Sequence, residues 1–351
     1  MVDPILRPLD ATQEADGLAT TGNAEASPDP LGDVAPPIAE RPAILYRVPA
    51  SDTVYAGREP QFSPSMASTR DRIAGGLVVV DKPRGMTSHD VVARVRRALG
   101  VDKVGHSGTL DPEVTGVLPL GLGHGTKVLG LLLEAGKTYD TRMTLHADVP
   151  EHAVLEALQG LLGTIVQKPP VRSRVKRVER ERDIYGIAWD GMSGRDVRFR
   201  VRCVAGTYIR KLCHDLGVTL STGAHMAWLR RIEAGGFTIE HAVPLEALLT
   251  AARTWREAHD SATGALDGML LPLESALPLS FPRIWLDARI ASKLTSGGPL
   301  YRPGVLACTS TVERDQPVAL QTLEGHLVAL ARTPCDVESL LAEPKGIAAQ
   351  P

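Results

Sequence analysis

The stretch IYGIAWDGMSGRDVRFRVRC, residues 184–203, decides the fold class. Val197, Phe199, Val201 and Cys203 alternate with Arg198, Arg200 and Arg202, the period of two that sends successive side chains to opposite faces of a strand. Ile184, Gly186 and Ala188 alternate in the same way ahead of a Gly-Met-Ser-Gly turn, so the segment reads as an antiparallel hairpin with one buried face. From Thr207 the period lengthens to that of a helix, with Ile209, Leu212, Cys213, Leu216 and Leu220 falling on one side. A hairpin running into a helix, without a strict strand–helix–strand alternation, predicts an α+β domain.

Upstream, Leu77-Val78-Val79-Val80 is a continuous apolar run, stopped at Pro83, that reads as a strand buried on both faces. Thr87 or Ser88 then caps a helix with Val91, Val92, Val95, Ala98 and Leu99 inward and Arg94, Arg96 and Arg97 on the wetter side, ended by Gly100. A second amphipathic helix is expected from about Glu151 to Leu162. Downstream, short apolar runs at 304–307, 317–320 and 326–330, separated by Gly, Pro and acids, predict a compact all-β module. The expected organisation is an extension over 1–70, a main domain over 71–250, a connection over 251–282 and the β module over 283–351.

Residues 1–70 carry ten acids against five arginines, a net of −5, whereas the whole chain of 351 residues carries −2, which leaves the remainder at +3. The extension is rich in Pro and Ala and lacks the apolar content needed to offset its ordering entropy, so most of it is expected to be disordered, with Ile44-Leu45-Tyr46 as a patch able to dock. Cys203, Cys213, Cys308 and Cys335 form neither a CxxC pair nor a metal-spaced cluster, which predicts a reducing compartment. The start of the chain shows no secretory pattern and no window is apolar enough to span a bilayer, so a cytoplasmic location is expected.

Two glycine-rich segments are decoys. Gly136-Lys137-Thr138 ends like a phosphate-binding loop, but Leu131 occupies the position where that loop needs glycine, and the intervening residues favour helix. Gly121, Gly123 and Gly125 lack the spacing of a dinucleotide fingerprint. The dense polar segment is 105–121, GHSGTLDPEVTGVLPLG, in which four glycines and two prolines frame His106, Asp111 and Glu113. Asp111 before Pro112 and Glu113 is locally a good helix cap, and His106 alone reads as a hydrogen-bonded loop histidine. Between 168 and 182, seven cations (Lys168, Arg172, Arg174, Lys176, Arg177, Arg180 and Arg182) stand against two acids, an electrostatic footprint for phosphates. Arg210 follows a strand–turn–helix junction at Ala205-Gly206-Thr207-Tyr208.

In this order the pieces resemble the TruB family of pseudouridine synthases. The matching strings are Leu77–Pro83 with Gly85, Gly105–Pro112 with Thr115–Pro119, Lys137–Tyr139, Gly206–Arg210, and Gly223–Met226 with Leu229-Arg230-Arg231. The β module, with Arg302-Pro303-Gly304-Val305, is similar to a PUA domain, and Pro169–Arg177 resembles the thumb segment of the archaeal, dyskerin-like branch. The resemblance implies a mixed, largely antiparallel central sheet flanked by helices, followed by a small PUA domain. It implies isomerisation of uridine to pseudouridine in structured RNA, at tRNA uridine-55 or at guide-selected sites within an H/ACA particle with small accessory proteins, and no cofactor. It further implies Asp111 as the catalytic carboxylate, Arg210 as its ion-pair partner, Tyr139 stacking on the everted base, Leu229 lining the pocket and His106 filling the space the base leaves. Lys168, Arg172, Arg174, Lys176 and Arg177 would bind RNA. The competing readings are a noncatalytic RNA-particle scaffold and a glycoside hydrolase using Asp111 and Glu113. The scaffold sits poorly with Asp111, Tyr139 and Arg210 occurring together, and carboxylates two apart beside proline point in divergent directions.

Overall fold

The computed structural model describes residues 68–169, 178–258, 264–278 and 280–351, with the backbone of two strands at 44–46 and 55–57. Those strands, β1 (Ile44–Tyr46) and β2 (Tyr55–Gly57), precede α1 (Thr69–Gly75), which Ser68 and Asp71 start with a reciprocal capping box. The rest of the predicted extension lies outside the described residues. The apolar run becomes β3 (Leu77–Lys82), and α2 (Ser88–Leu99) follows, capped by Thr87 with Asp90 and closed by Gly100 in the left-handed region at φ 69°. Next come β4 (Val104–His106), β5 (Thr115–Leu122), α3 (Leu129–Glu134), β6 (Lys137–Leu145), α4 (Glu151–Gln159) and β7 (Gly163–Gln167). The hairpin read first is β8 (Arg180–Ser193) with β9 (Asp196–Cys203), and α5 (Ile209–Thr219), β10 (Ala224–Ala234), β11 (Phe237–Thr238), β12 (Val243–Pro244), α6 (Leu245–Glu257) and α7 (Ala265–Met269) complete the larger part.

Ten strands form one sheet with the path β12-β3-β5-β10-β6-β9-β8-β7, β4 pairing β5 and β11 pairing β10. Within this sheet only β10–β5 and β12–β3 run parallel among the described pairs, so it is mixed and largely antiparallel. Val197, Phe199, Val201 and Cys203 of β9 are all fully buried, as their alternation requires. β8 departs from the expected phase: register shifts at Ile184/Gly186 and Trp189/Gly191 turn Ile187 inward and leave Ala188 half-buried. Each shift inserts an extra residue that exchanges faces beyond it. The turn is also tighter than the four-residue reading, because Ser193 still pairs with Asp196.

Helices α4 and α5 cover one region of the sheet around Leu158, Phe199 and Leu212. Helices α2, α6 and α7 cover another around Val80, Val95 and Leu248. The other face of β3 and β5 packs on α3, so both strands are buried on both sides. Segment 264–278 is packed rather than loosely strung. Leu271 exchanges backbone hydrogen bonds with Leu77 at 2.8 and 2.9 Å, and Asp267 pairs with Arg72 at 3.0 Å.

The C-terminal module contains β13 (Arg283–Leu286), α8 (Ala291–Thr295), β14 (Leu300–Tyr301), β15 (Val305–Thr309), β16 (Pro317–Thr322), β17 (Leu327–Arg332), α9 (Val337–Ala342) and β18 (Ile347–Ala349). Its sheet order is β17-β16-β13-β15-β1-β2. The docking patch of the N-terminal extension is thus a strand, with Ile44, Leu45 and Tyr46 paired antiparallel to Thr309, Cys308 and Ala307. Glu274 accepts a hydrogen bond from the Leu327 amide at 2.7 Å, tying this module to the larger part. No helix of the described residues is long and apolar enough to cross a membrane.

Candidate active site

The loop between β4 and β5 carries Asp111, and its neighbours on both sides are fixed. The Leu110 amide donates to Ser88 Oγ at 2.9 Å, and Ser88 is itself fully buried at the start of α2. The Pro112 carbonyl accepts from the Gly85 amide at 2.8 Å and from Lys82 Nζ at 3.1 Å. The Val114 amide donates to the Asp111 carbonyl at 3.0 Å and closes a turn that leads into β5. No helix starts here, so Asp111 has no helix to cap. The Asp-Pro-Glu signature instead shapes a turn that leaves the Asp111 side chain half-exposed.

Arg210 forms an ion pair with this carboxylate, and the neighbouring Ile209 shares a core cluster with Leu110 and Val114 of the Asp111 loop. It sits in the first turn of α5, whose start is clamped. Gln167, 3% exposed at the end of β7, accepts from the Tyr208 amide at 3.0 Å and donates to the Tyr208 carbonyl at 3.3 Å. Gly206, at φ +80°, supplies the turn, and its carbonyl accepts from Arg182 at 3.2 Å. Both members of the pair therefore stand on anchored backbone with half-exposed, solvent-reachable ends.

Tyr139 lies on β6 opposite Arg231 of β10. Burial raises the phenol's pKa, with Arg231 opposing that shift. Leu229 is two residues before Arg231, is buried, and belongs to the apolar cluster that includes Leu110, Val114 and Ile209, against which Tyr139 packs. His106 ends β4 half-buried, its ring edge-on to His89 with centroids 5.3 Å apart. Its Nδ1 accepts from the Gly108 amide at 3.3 Å, so a neutral ring carries its proton on Nε2. Burial, then the charges of His89 and Arg231, hold its pKa below the ordinary value. Asp111, Arg210, Tyr139, Leu229 and His106 are thus placed around one loop and one region of sheet. Lys168 is exposed beside Gln167, while Arg172, Arg174, Lys176 and Arg177 lie outside the described residues.

Three buried cations under the site escaped the reading of the sequence. Lys82, Lys137 and Arg231 are almost fully buried, and each is satisfied mainly by backbone carbonyls rather than by a carboxylate. Lys82 donates to Pro83, Met86 and Pro112. Lys137 donates to Leu132, Leu133 and Ala135, capping α3 and so explaining the Gly-Lys-Thr decoy; burial brings its pKa down to about 8. Arg231 donates to Val117 at 2.8 Å and to Gly108 at 3.2 Å. Lone buried cations are costly unless their donors are met, and carbonyls meet them here. Gly116 is required at the same place, because a Cβ there would lie 2.1 Å from the Arg231 carbonyl oxygen. The only signal for these residues was membership of the strings around Asp81-Lys82-Pro83, Gly136-Lys137 and Leu229-Arg230-Arg231.

Comparison with known proteins bears on this arrangement. Residues 96–209 match the TruB family pseudouridylate synthase N-terminal domain, residues 210–278 the tRNA pseudouridylate synthase B C-terminal domain, and residues 282–351 the PUA domain. The probable tRNA pseudouridine synthase B of Methanosarcina barkeri is 41% identical over 293 residues, covering 84% of this chain and 85% of the relative. The protein of the same name from Methanopyrus kandleri is 42% identical over 291 residues, covering 82% of this chain and 85% of its own. Among solved structures, a chain in a Cbf5–Nop10–Gar1 complex is 37% identical with a TM-score of 0.78, covering 89% of this chain and 93% of that one. A chain in an H/ACA RNP bound to a substrate RNA containing 2′-deoxyuridine is 35% identical with a TM-score of 0.77, covering 89% and 94%. Similarity of this extent runs through the Asp111 loop, the sheet and the C-terminal module alike, and the chain belongs to the TruB family of pseudouridine synthases.

Proposed function

We propose that the protein isomerises uridine to pseudouridine in structured RNA, at tRNA uridine-55 and at guide-selected sites as the catalytic subunit of an H/ACA-type particle. The observation that carries this reading is the Asp111–Arg210 ion pair, held at the half-exposed tip of an otherwise rigid loop. The reaction breaks the C1′–N1 bond, turns the uracil and rejoins it through C5. N1 gains a proton and C5 loses one, so no external electrons or hydrolytic water enter the balance. Asp111 acts at C1′, as nucleophile or as stabiliser of the positive charge that develops on the sugar. Arg210 aims the carboxylate. Tyr139 stacks on the everted base near C5, Leu229 forms the apolar wall, and His106 occupies the position vacated in the RNA.

The PUA domain and the basic segment beginning at Lys168 support RNA as partner, and the likeness to chains solved with Nop10, Gar1 and substrate RNA supports the particle role and small accessory proteins. A cytoplasmic location agrees with four buried free thiols, of which Cys213 and Cys308 are pushed by burial to about 12. Replacing Asp111 by Asn tests the assignment. Product formation should fall at least ~10³-fold while RNA affinity stays within a few-fold, because a pair this exposed adds little to binding or stability. Unchanged turnover would overturn it. Assay of bare tRNA, with and without guide RNA and accessory proteins, separates the stand-alone role from the particle role.

A further inference from the structure

Helix α2 connects the active-site loop to a second, unassigned feature. Arg94 and Arg97 lie three residues apart on α2, and Arg253 and Arg256 lie three apart on α6. With Glu246 and Glu257 they line a groove of about 700 Å³. Arg94 pairs with Glu246 at 3.3 Å. Arg256 donates to the Arg97 carbonyl at 3.2 Å and lies over Gly100, where a Cβ would come within 3.3 Å of its guanidinium carbon. Arg97 and Arg253 are exposed and have no carboxylate partner among the described residues. Past Gly100 the surface opens into a second depression of about 410 Å³ that carries Lys103, His124 and Lys127 against Asp102. Gly100 thus joins two concave, predominantly cationic surfaces into one strip.

Clustered like charges in a concavity repel one another and raise the local potential, an arrangement relieved when an anion enters. Guanidinium forks match phosphate oxygens in geometry, and the lining side chains are four arginines and two glutamates, with Ala98 and the buried Leu249 the only apolar ones. Position points to the same choice. Ser88, which holds Leu110 beside Asp111, begins α2, and at ~1.5 Å per residue Arg94 and Arg97 lie about 9 and 14 Å farther along the helix. We infer that the α2–α6 groove is a phosphate-backbone site for the RNA that flanks the target uridine. The inference rests on the reading of Asp111 as the residue that meets that uridine.

The test uses the full chain and an unmodified tRNA transcript, titrated across a salt series. The double variant Arg97→Ala/Arg253→Ala should bind about tenfold more weakly, with the slope of log affinity against log salt flatter by about 1.4–1.8, the loss of two phosphate contacts. Single-turnover rate at saturating RNA should stay within about twofold, and Arg97→Lys/Arg253→Lys should recover the slope. Unchanged affinity and slope in the alanine variant would overturn the inference. Asp111→Asn keeps the two failures apart: it should lose product yet retain the full salt slope, so turnover surviving in that variant overturns the catalytic reading and the groove's place beside the target uridine, whereas an unchanged slope in the alanine variant overturns the groove alone.

Discussion

Asp111 and Arg210 stand ninety-nine positions apart in the chain, and nothing local in either segment announces that they meet. Locally, Asp-Pro-Glu favoured a cap, and only the fold shows that the segment turns back into β5. Lys82, Lys137 and Arg231 were less legible still, because a cation satisfied by carbonyls leaves no partner side chain for a pattern to reveal. What could be read were the strings that contain them. At this scale His106 gives a pH prediction. Its folded-state pKa is depressed, so on acidification the unfolded chain takes up the proton first, beginning near the ordinary value of about 6.5. Its contribution to stability is therefore present above that pH and lost as pH falls toward the folded value. Denaturant midpoints measured at pH 7 and pH 5 should fall more for the wild type than for His106→Gln; equal losses would contradict the assignment of a neutral ring.

Among the elements, β9 and α5 were readable from period alone, since each buries one face and exposes the other. The two register shifts in β8 were not, because a bulge leaves composition unchanged while moving every later side chain to the opposite face. Nor was the clasp between β7 and α5. Gln167 satisfies both backbone groups of Tyr208 from forty-one residues away, and this contact fixes the direction in which α5 delivers Arg210. Replacing Gln167 by Ala should cost about 1–3 kcal/mol in chemical denaturation, the penalty for leaving the Tyr208 amide without Gln167, while the Tyr208 carbonyl keeps its bond from the Leu212 amide. It should also lower turnover roughly ten- to hundredfold by loosening Arg210, with RNA affinity little changed. A stability loss without a kinetic one would reduce Gln167 to a structural residue.

For the whole molecule, the shift from a Pro-rich acidic start through a periodic middle to a short-stranded end suggests an order of domains. The path of the chain between them was not legible. Strands contributed by 44–46 and 55–57 finish a sheet whose other members lie beyond residue 282, and so short a patch could be read only as apolar. Removing residues 1–57 should expose β15 as an unpaired edge, lowering the melting temperature of the C-terminal module and promoting self-association visible in sedimentation. A truncated protein as stable and as monomeric as the full chain would show that the added strands are dispensable.

The same pairing sets a schedule for biosynthesis. Ile44 leaves the ribosome about 260 residues ahead of the segment it pairs with, a wait of roughly 13–50 s at ~5–20 residues per second. During that interval these strands lack their native partner, and a module made later is completed by a stretch that emerged well before it.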